Sequence, residues 1–173
     1  MSDDLGGQKA ITSDSFLEPD SRILYFVSDP ESWLKRCHSS VVVPQVPENV
    51  AALLRTAQGT ISYAWFYYPL LTLGAEQCTR CLEAAARERC KNFGIAVENT
   101  DKKGNPRAVH FRNLLAALIA RGLLTDEDAV RWDVGRDLRN MASHPDDQMI
   151  FTPGQALGLL DTTIELINRL FAR

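Results

Sequence analysis

The chain is expected to be all-α, an antiparallel up-and-down bundle of four or five helices carrying a short extended and helical N-terminal appendage. Two patterns predict this. From Pro47 onward, apolar residues recur at three- and four-residue spacing over long stretches, which is the period of a helix with one buried face. The same stretches are punctuated by helix start and stop residues, with glycines at 94 and 122 and prolines at 69 and 153. Residues 1–46 read as an arm with a short strand-like segment and a short helix, and 47–173 as the bundle.

Composition narrows the class. The 173 residues are 45% hydrophobic and 24% charged, as in an ordinary globular domain with enough chain to bury a core. No apolar run reaches about 18 residues, and the polar, acidic start is unlike a signal peptide, so no membrane span is expected and the cytoplasm is the default compartment. The net charge of −3 argues against a long nucleic-acid footprint. Any RNA contact is expected to be local and confined to one basic cleft.

Taken in order, residues 1 to about 20 read as a mobile arm. Arg22 to Val27, "RILYFV", is β-prone. Ser28 as N-cap, Pro30 in the first turn and Glu31 as the capping-box acid then start a helix reaching about Cys37. Val41 to Pro47 is an extended linker or edge segment. The sequence leaves open whether the first 46 residues pack on the bundle or on a dimer partner. A helix from Pro47 has Gly59 as a possible stop. A long helix over about Thr60 to Asn92 should be kinked or divided at Pro69. Its buried stripe is Tyr68, Leu71, Ala75, Cys78, Leu82 and Ala85. Phe93 to Arg107 is a connector whose "DKKG" is an exposed turn. A helix over Arg107 to Arg121 buries Leu114, Leu115, Leu118 and Ile119. Thr125 caps the next helix, and Thr152, Pro153 and Gln155 announce the last, with Leu157, Leu160, Ile164, Ile167 and Leu170 or Phe171 on its core face.

Four cysteines, Cys37, Cys78, Cys81 and Cys90, raise a metal or disulfide question. The C-x(2)-C of Cys78 and Cys81 lies inside a helix rather than a turn, and Cys90 falls about half a turn out of phase. Reduced thiols in or near the core are the expected state, and neither a metal nor a cofactor is expected. His110, one turn before Leu114, reads as a packed or surface residue.

The most informative stretch is Val134 to Pro145, "VGRDLRNMASHP". At about 100 degrees per residue, Val130, Val134, Leu138 and Met141 fall on one side of a helix. Arg136, Arg139, Asn140, Ser143 and His144 share the other, and Pro145 ends the helix near His144. A solvated face of a bundle helix is one account of this arc. An Arg-x(4)-His motif with Asn directly after the Arg, late in a small helical domain, also resembles the HEPN superfamily (higher eukaryote and prokaryote nucleotide-binding), over roughly residues 47 to 173.

The resemblance implies a homodimeric helical bundle and a metal-independent endoribonuclease of a defence, toxin or RNA-processing type. Arg139 and His144 would be catalytic, with Asn140 and Ser143 supporting them. The helix containing "CLEAAARERC" resembles the one that carries a polar or acidic residue opposite the motif, so Glu83 would orient Arg139 or His144. Glu76 fits nearly as well, and Glu76, Arg80, Glu83 and Arg87 also read as a solvent-facing row of ion pairs. Arg136, Lys102 and Lys103 are candidate phosphate contacts, although two lysines at a loop tip read more simply as a solvated turn. Toxin-type relatives often carry Tyr two residues after the His; here that position is Asp146, which argues against that subtype.

Arg139 and His144 lie about 140 degrees apart on one helix, so a single copy converges poorly on one phosphate. Two copies across a two-fold axis would bring paired groups into one cleft. Three functional classes follow: an RNA-cleaving enzyme, a non-catalytic module that binds RNA or a nucleotide or adapts an unidentified protein partner, and a structural dimerisation domain.

Overall fold

The structure is a computed structural model that describes residues 9–132 and 150–172. Among these the chain is mostly helical, with one two-stranded sheet. In order come a single 3-10 turn at Ile23–Tyr25, α1 (Pro30–Cys37), α2 (Glu48–Tyr63), α3 (Leu70–Asn92), β1 (Glu98–Thr100), β2 (Pro106–Ala108) and α4 (Phe111–Ala120). Helical residues 126–132 form the described part of α5, and α6 (Pro153–Ala172) ends the chain's described part.

Helix α3 organises the rest, packing against α2, α4 and α6. Its expected stripe is buried throughout, and Cys81, Ala86 and Cys90 widen it. A single band of side chains cannot meet three neighbours, so α3 buries most of its circumference, using small residues to admit them closely. Helices α2 and α3 approach closely at Gly74. A Cβ there would sit inside van der Waals contact with Ile61 Cγ1 and 3.3 Å from the Ile61 backbone nitrogen. The core residues expected on α6 are all buried, and its capping box forms: Thr152 N donates to Gln155 Oε1 at 2.9 Å, and Gln155 N to Thr152 Oγ1 at 3.4 Å.

Several boundaries differ from expectation. Gly59 does not end α2. One glycine in a helix costs only about 1 kcal/mol, and the helix runs on to Tyr63. The division falls at residues 64–69, where Pro69, with no N–H to give, caps α3. The "RILYFV" segment is not a strand. Asp20 Oδ1 accepts the Arg22 N–H at 3.1 Å, which folds the chain into a turn, and of Ile23 to Phe26 only Ile23 is buried. The cap of α1 is Asp29 rather than Ser28, with Oδ1 accepting from Ser32 N at 2.8 Å. The connector after α3 contains the β1–β2 hairpin, and α4 starts later than expected because Arg107 and Ala108 belong to β2.

The appendage packs on the helices from Lys9 onward rather than swinging as an arm. Lys9 Nζ donates to Phe66 O at 3.1 Å, Asp20 N to Trp65 O at 2.8 Å, and Trp33 Nε1 to Ser62 O at 2.9 Å. Asn168 of α6 grips the extended valines, accepting from Val43 N at 3.0 Å and donating to Val41 O at 2.8 Å. Ile23, Trp33, Cys37 and Val46 join the same core as α2, α3 and α6. All four cysteines are free and buried. No helix among the described residues is long and apolar enough to cross a membrane.

Candidate functional site

Arg136, Arg139, Asn140, Ser143 and His144 lie outside the described residues. The structure describes the first part of α5, the face of α3 that carries Glu83, and the hairpin that carries Lys102 and Lys103.

Helix α5 starts at Thr125, whose Oγ1 accepts the Asp128 N–H at 3.1 Å, the expected cap. Its buried residues are Asp128 and Trp132, while Val130 is 67% exposed. Val130 was expected on the apolar side. The inward face is instead set by Trp132, whose ring packs on Phe111 of α4 at 6.3 Å between centroids, and a large aromatic outweighs one valine in buried area. A charge network fastens α5 to α6. Arg131 forks onto Glu165, and Arg169 bridges Glu165 Oε1 at 2.6 Å and Asp128 Oδ1 at 3.3 Å. The hydrogen bond from Arg131 holds the Glu165 carboxyl below the ordinary range against a small opposing effect of burial, and the bond raises Arg131 in turn.

On α3, Glu83 is half-buried and pairs with Arg87 one turn on: its Oε1 accepts from Arg87 Nη2 at 2.8 Å and Nε at 3.1 Å. Among the described residues this rung of the expected charge ladder carries structure beyond the helix. Arg87 also donates from Nη1 to Val97 O at 3.3 Å and from Nη2 to Val109 O at 2.8 Å. Arg87 thus holds both roots of the β1–β2 hairpin to the helix that carries Glu83. Glu76 is partly exposed on the same helix, two turns earlier. Two residues beyond Arg87, Arg89 is buried between aromatic rings, its guanidinium 4.6 Å from Phe93 and 5.6 Å from Phe171, and burial pulls its pKa down.

The hairpin pairs Glu98 with Ala108, Asn99 with Arg107 and Thr100 with Pro106. Asp101 orders its tip. Oδ1 accepts the backbone N–H groups of Lys103 at 2.8 Å and Asn105 at 2.9 Å, and Oδ2 lies 3.3 Å from Arg107 Nε. These bonds, the Asn105 amide N–H first, hold the Asp101 carboxyl below its ordinary range. Gly104, at φ 86°, makes the reversal. Lys102 and Lys103 are exposed beside an open concavity of about 420 Å³ lined by Asp101, Lys102, Lys103, Asn105 and Arg107. Asp101, Asn105 and Arg107 were not singled out from sequence. The signal was present as an Asp four residues before an Asn across a glycine, a side-chain-capped turn. His110 is exposed at the N-cap of α4 without a side-chain cap bond.

The chain matches no family model, no curated protein and no solved structure.

Proposed function

We propose that this protein is a HEPN-like helical bundle that acts as a homodimeric, metal-independent endoribonuclease and leaves a 2′,3′-cyclic phosphate. The observation that carries the reading is the spacing of Arg139, Asn140 and His144 in the sequence that follows the described part of the Thr125-capped helix. The mostly helical chain and the half-buried Glu83 on α3 agree with it.

In this mechanism the ribose 2′-oxygen bonds to phosphorus while the bond to the 5′-oxygen breaks. One proton leaves the 2′-hydroxyl and another reaches the departing oxygen. Imidazole exchanges protons near neutral pH, so one His144 accepts the 2′-hydroxyl proton and then gives a proton to the departing 5′-oxygen. Arg139, always charged and forked, stabilises the phosphorane oxygens. Asn140 and Ser143 orient the phosphate by hydrogen bonds, and Glu83 positions the arginine or histidine.

The test is RNA cleavage in EDTA by wild type, His144→Ala and Arg139→Ala. Cleavage with a cyclic-phosphate end, lost in both variants, supports the proposal. Cleavage unchanged in both, or no cleavage of structured or unstructured RNA by wild type, overturns it.

A further inference from the structure

We infer that the β1–β2 hairpin is a grip for the sugar-phosphate backbone of single-stranded RNA, held beside the Glu83 face of α3. Every residue of the two strands is exposed, so the ribbon stands out from the core with neither face covered. A two-stranded ribbon with no packed face is marginally stable on its own. This one is secured at both ends: Arg87 binds the carbonyls of Val97 and Val109 at its root, and Asp101 ties down its tip.

The chemistry of the ribbon selects the occupant. From Glu98 to Ala108 there is no large apolar side chain, so a protein partner would find no apolar anchor, and anchors dominate protein interfaces. A membrane surface needs a larger basic cluster, about four to eight cations, whereas the ribbon itself, Glu98 to Ala108, has three, one of them, Arg107, paired with Asp101. A phosphate backbone needs neither. Binding there is driven by counterion release from a few lysines and arginines. On a chain of net charge −3, Glu98 to Arg112 concentrates Lys102, Lys103, Arg107 and Arg112 against two carboxylates. One of these, Asp101, is already engaged by Arg107 and the tip amides. Asn105 lines the concavity with the lysines and adds an amide donor suited to phosphate or ribose oxygens.

Because Arg87 bonds both the hairpin roots and Glu83, a strand held at the tip runs from a fixed support on the helix assigned to the site. The inference takes RNA as the ligand class from the proposed function, yet concerns binding and not cleavage.

The experiment is fluorescence anisotropy of a labelled single-stranded RNA oligonucleotide against the full chain, in EDTA and over a series of salt concentrations. Lys102→Gln/Lys103→Gln should weaken binding on the order of tenfold at low salt and reduce the log–log salt slope by about 1.4, or 0.7 per lost contact. Lys35→Gln/Arg55→Gln, which removes the same charge from exposed positions on α1 and α2, should leave both nearly unchanged. Equal losses in the two variants, or an unchanged slope in the first, overturn the proposal. So does binding to phosphatidylserine vesicles or a phosphopeptide, but not RNA, through the same lysines. RNA binding that depends on the lysines without any cleavage leaves the grip standing and removes the nuclease; cleavage lost in His144→Ala but indifferent to the lysines does the reverse.

Discussion

Asp20, 1% exposed, accepts the backbone N–H of Tyr68 at 2.9 Å and holds the guanidinium of Arg22 through both oxygens. That guanidinium also lies 4.9 Å from the Tyr68 ring centre. One carboxylate therefore satisfies the amide exposed where the chain turns from α2 into α3, and moors the appendage there. Burial pushes the Asp20 carboxyl up, but the Arg22 bond, the Tyr68 and Arg22 amides and the Arg22 charge together bring it below its ordinary value of 3.8. A depressed carboxylate stabilises the fold above its unfolded pKa, and the contribution is lost as pH falls through the folded value. Asp20→Asn should cost about 1–3 kcal/mol at pH 7, measured by urea unfolding. The gap from wild type should narrow below about pH 4; a constant gap would mean that Asp20 acts through shape alone.

Gly74 and Gly59 make a matched pair on facing helices. A methyl at Gly74 meets Ile61, whose backbone cannot retreat without moving α2, whereas a methyl at Gly59 meets nothing within 4 Å. Gly74→Ala should destabilise by about 1–3 kcal/mol. Gly59→Ala should stabilise by about 0.5–1 kcal/mol, because it removes backbone entropy from the unfolded chain in a helix that runs straight through. Thermal unfolding of both variants separates close approach from helix propensity.

The thiols should be silent in the native protein. Burial pushes Cys37 up to about 11 and Cys81 to about 12, and raises Cys78 and Cys90 as well. The thiolate is the reacting species, so a thiol reagent at pH 8 should label none of the four within minutes and all four after unfolding in guanidinium. Rapid labelling of any one would place it at the surface.

The Arg131–Glu165–Arg169–Asp128 network joins a half-exposed fringe to a buried acid: the Glu165 side chain is 43% exposed, that of Asp128 4%. Solvent screening leaves exposed pairs little net worth. Glu165→Gln should therefore cost at most about 1 kcal/mol, and less in 1 M salt. Asp128→Ala removes a buried acceptor and should cost about 2 kcal/mol, with little salt dependence. Urea unfolding at two salt concentrations distinguishes the two.

How much could be read in advance depended on which neighbour set each element. Stripes on α3 and α6 were legible because burial by many contacts leaves a three-to-four period, and the Thr125 and Thr152 caps because their partners lie three residues away. The hairpin was not. Its strands alternate nothing, since both faces are wet, and its root is fixed by Arg87 from another helix. The 3-10 turn at Ile23 was misread for a related reason: its β-prone residues are overruled by Asp20, whose own position is set by Tyr68. Val130 failed as a core marker because Trp132, not the valine spacing, decides which side of α5 faces inward. For the site, sequence named the motif and Glu83. The Glu83–Arg87–hairpin connection needed three-dimensional contacts.

The two-fold arrangement proposed for the site has a consequence that no single-chain site shares. If Arg139 of one protomer works with His144 of the other, a dimer formed from an Arg139→Ala chain and an His144→Ala chain retains one intact pair and one doubly defective pair. Each variant alone is inactive. Equal mixing after subunit exchange gives mixed dimers as half the population, each with half its sites intact, so about a quarter of wild-type cleavage should return. A site built within one chain gives no recovery, because each protomer of the mixed dimer still lacks one group. Cleavage assayed before and after exchange, with sedimentation to confirm the dimer, decides between the two. Return of activity would place the catalytic groups on opposite protomers even while the RNA's identity is open.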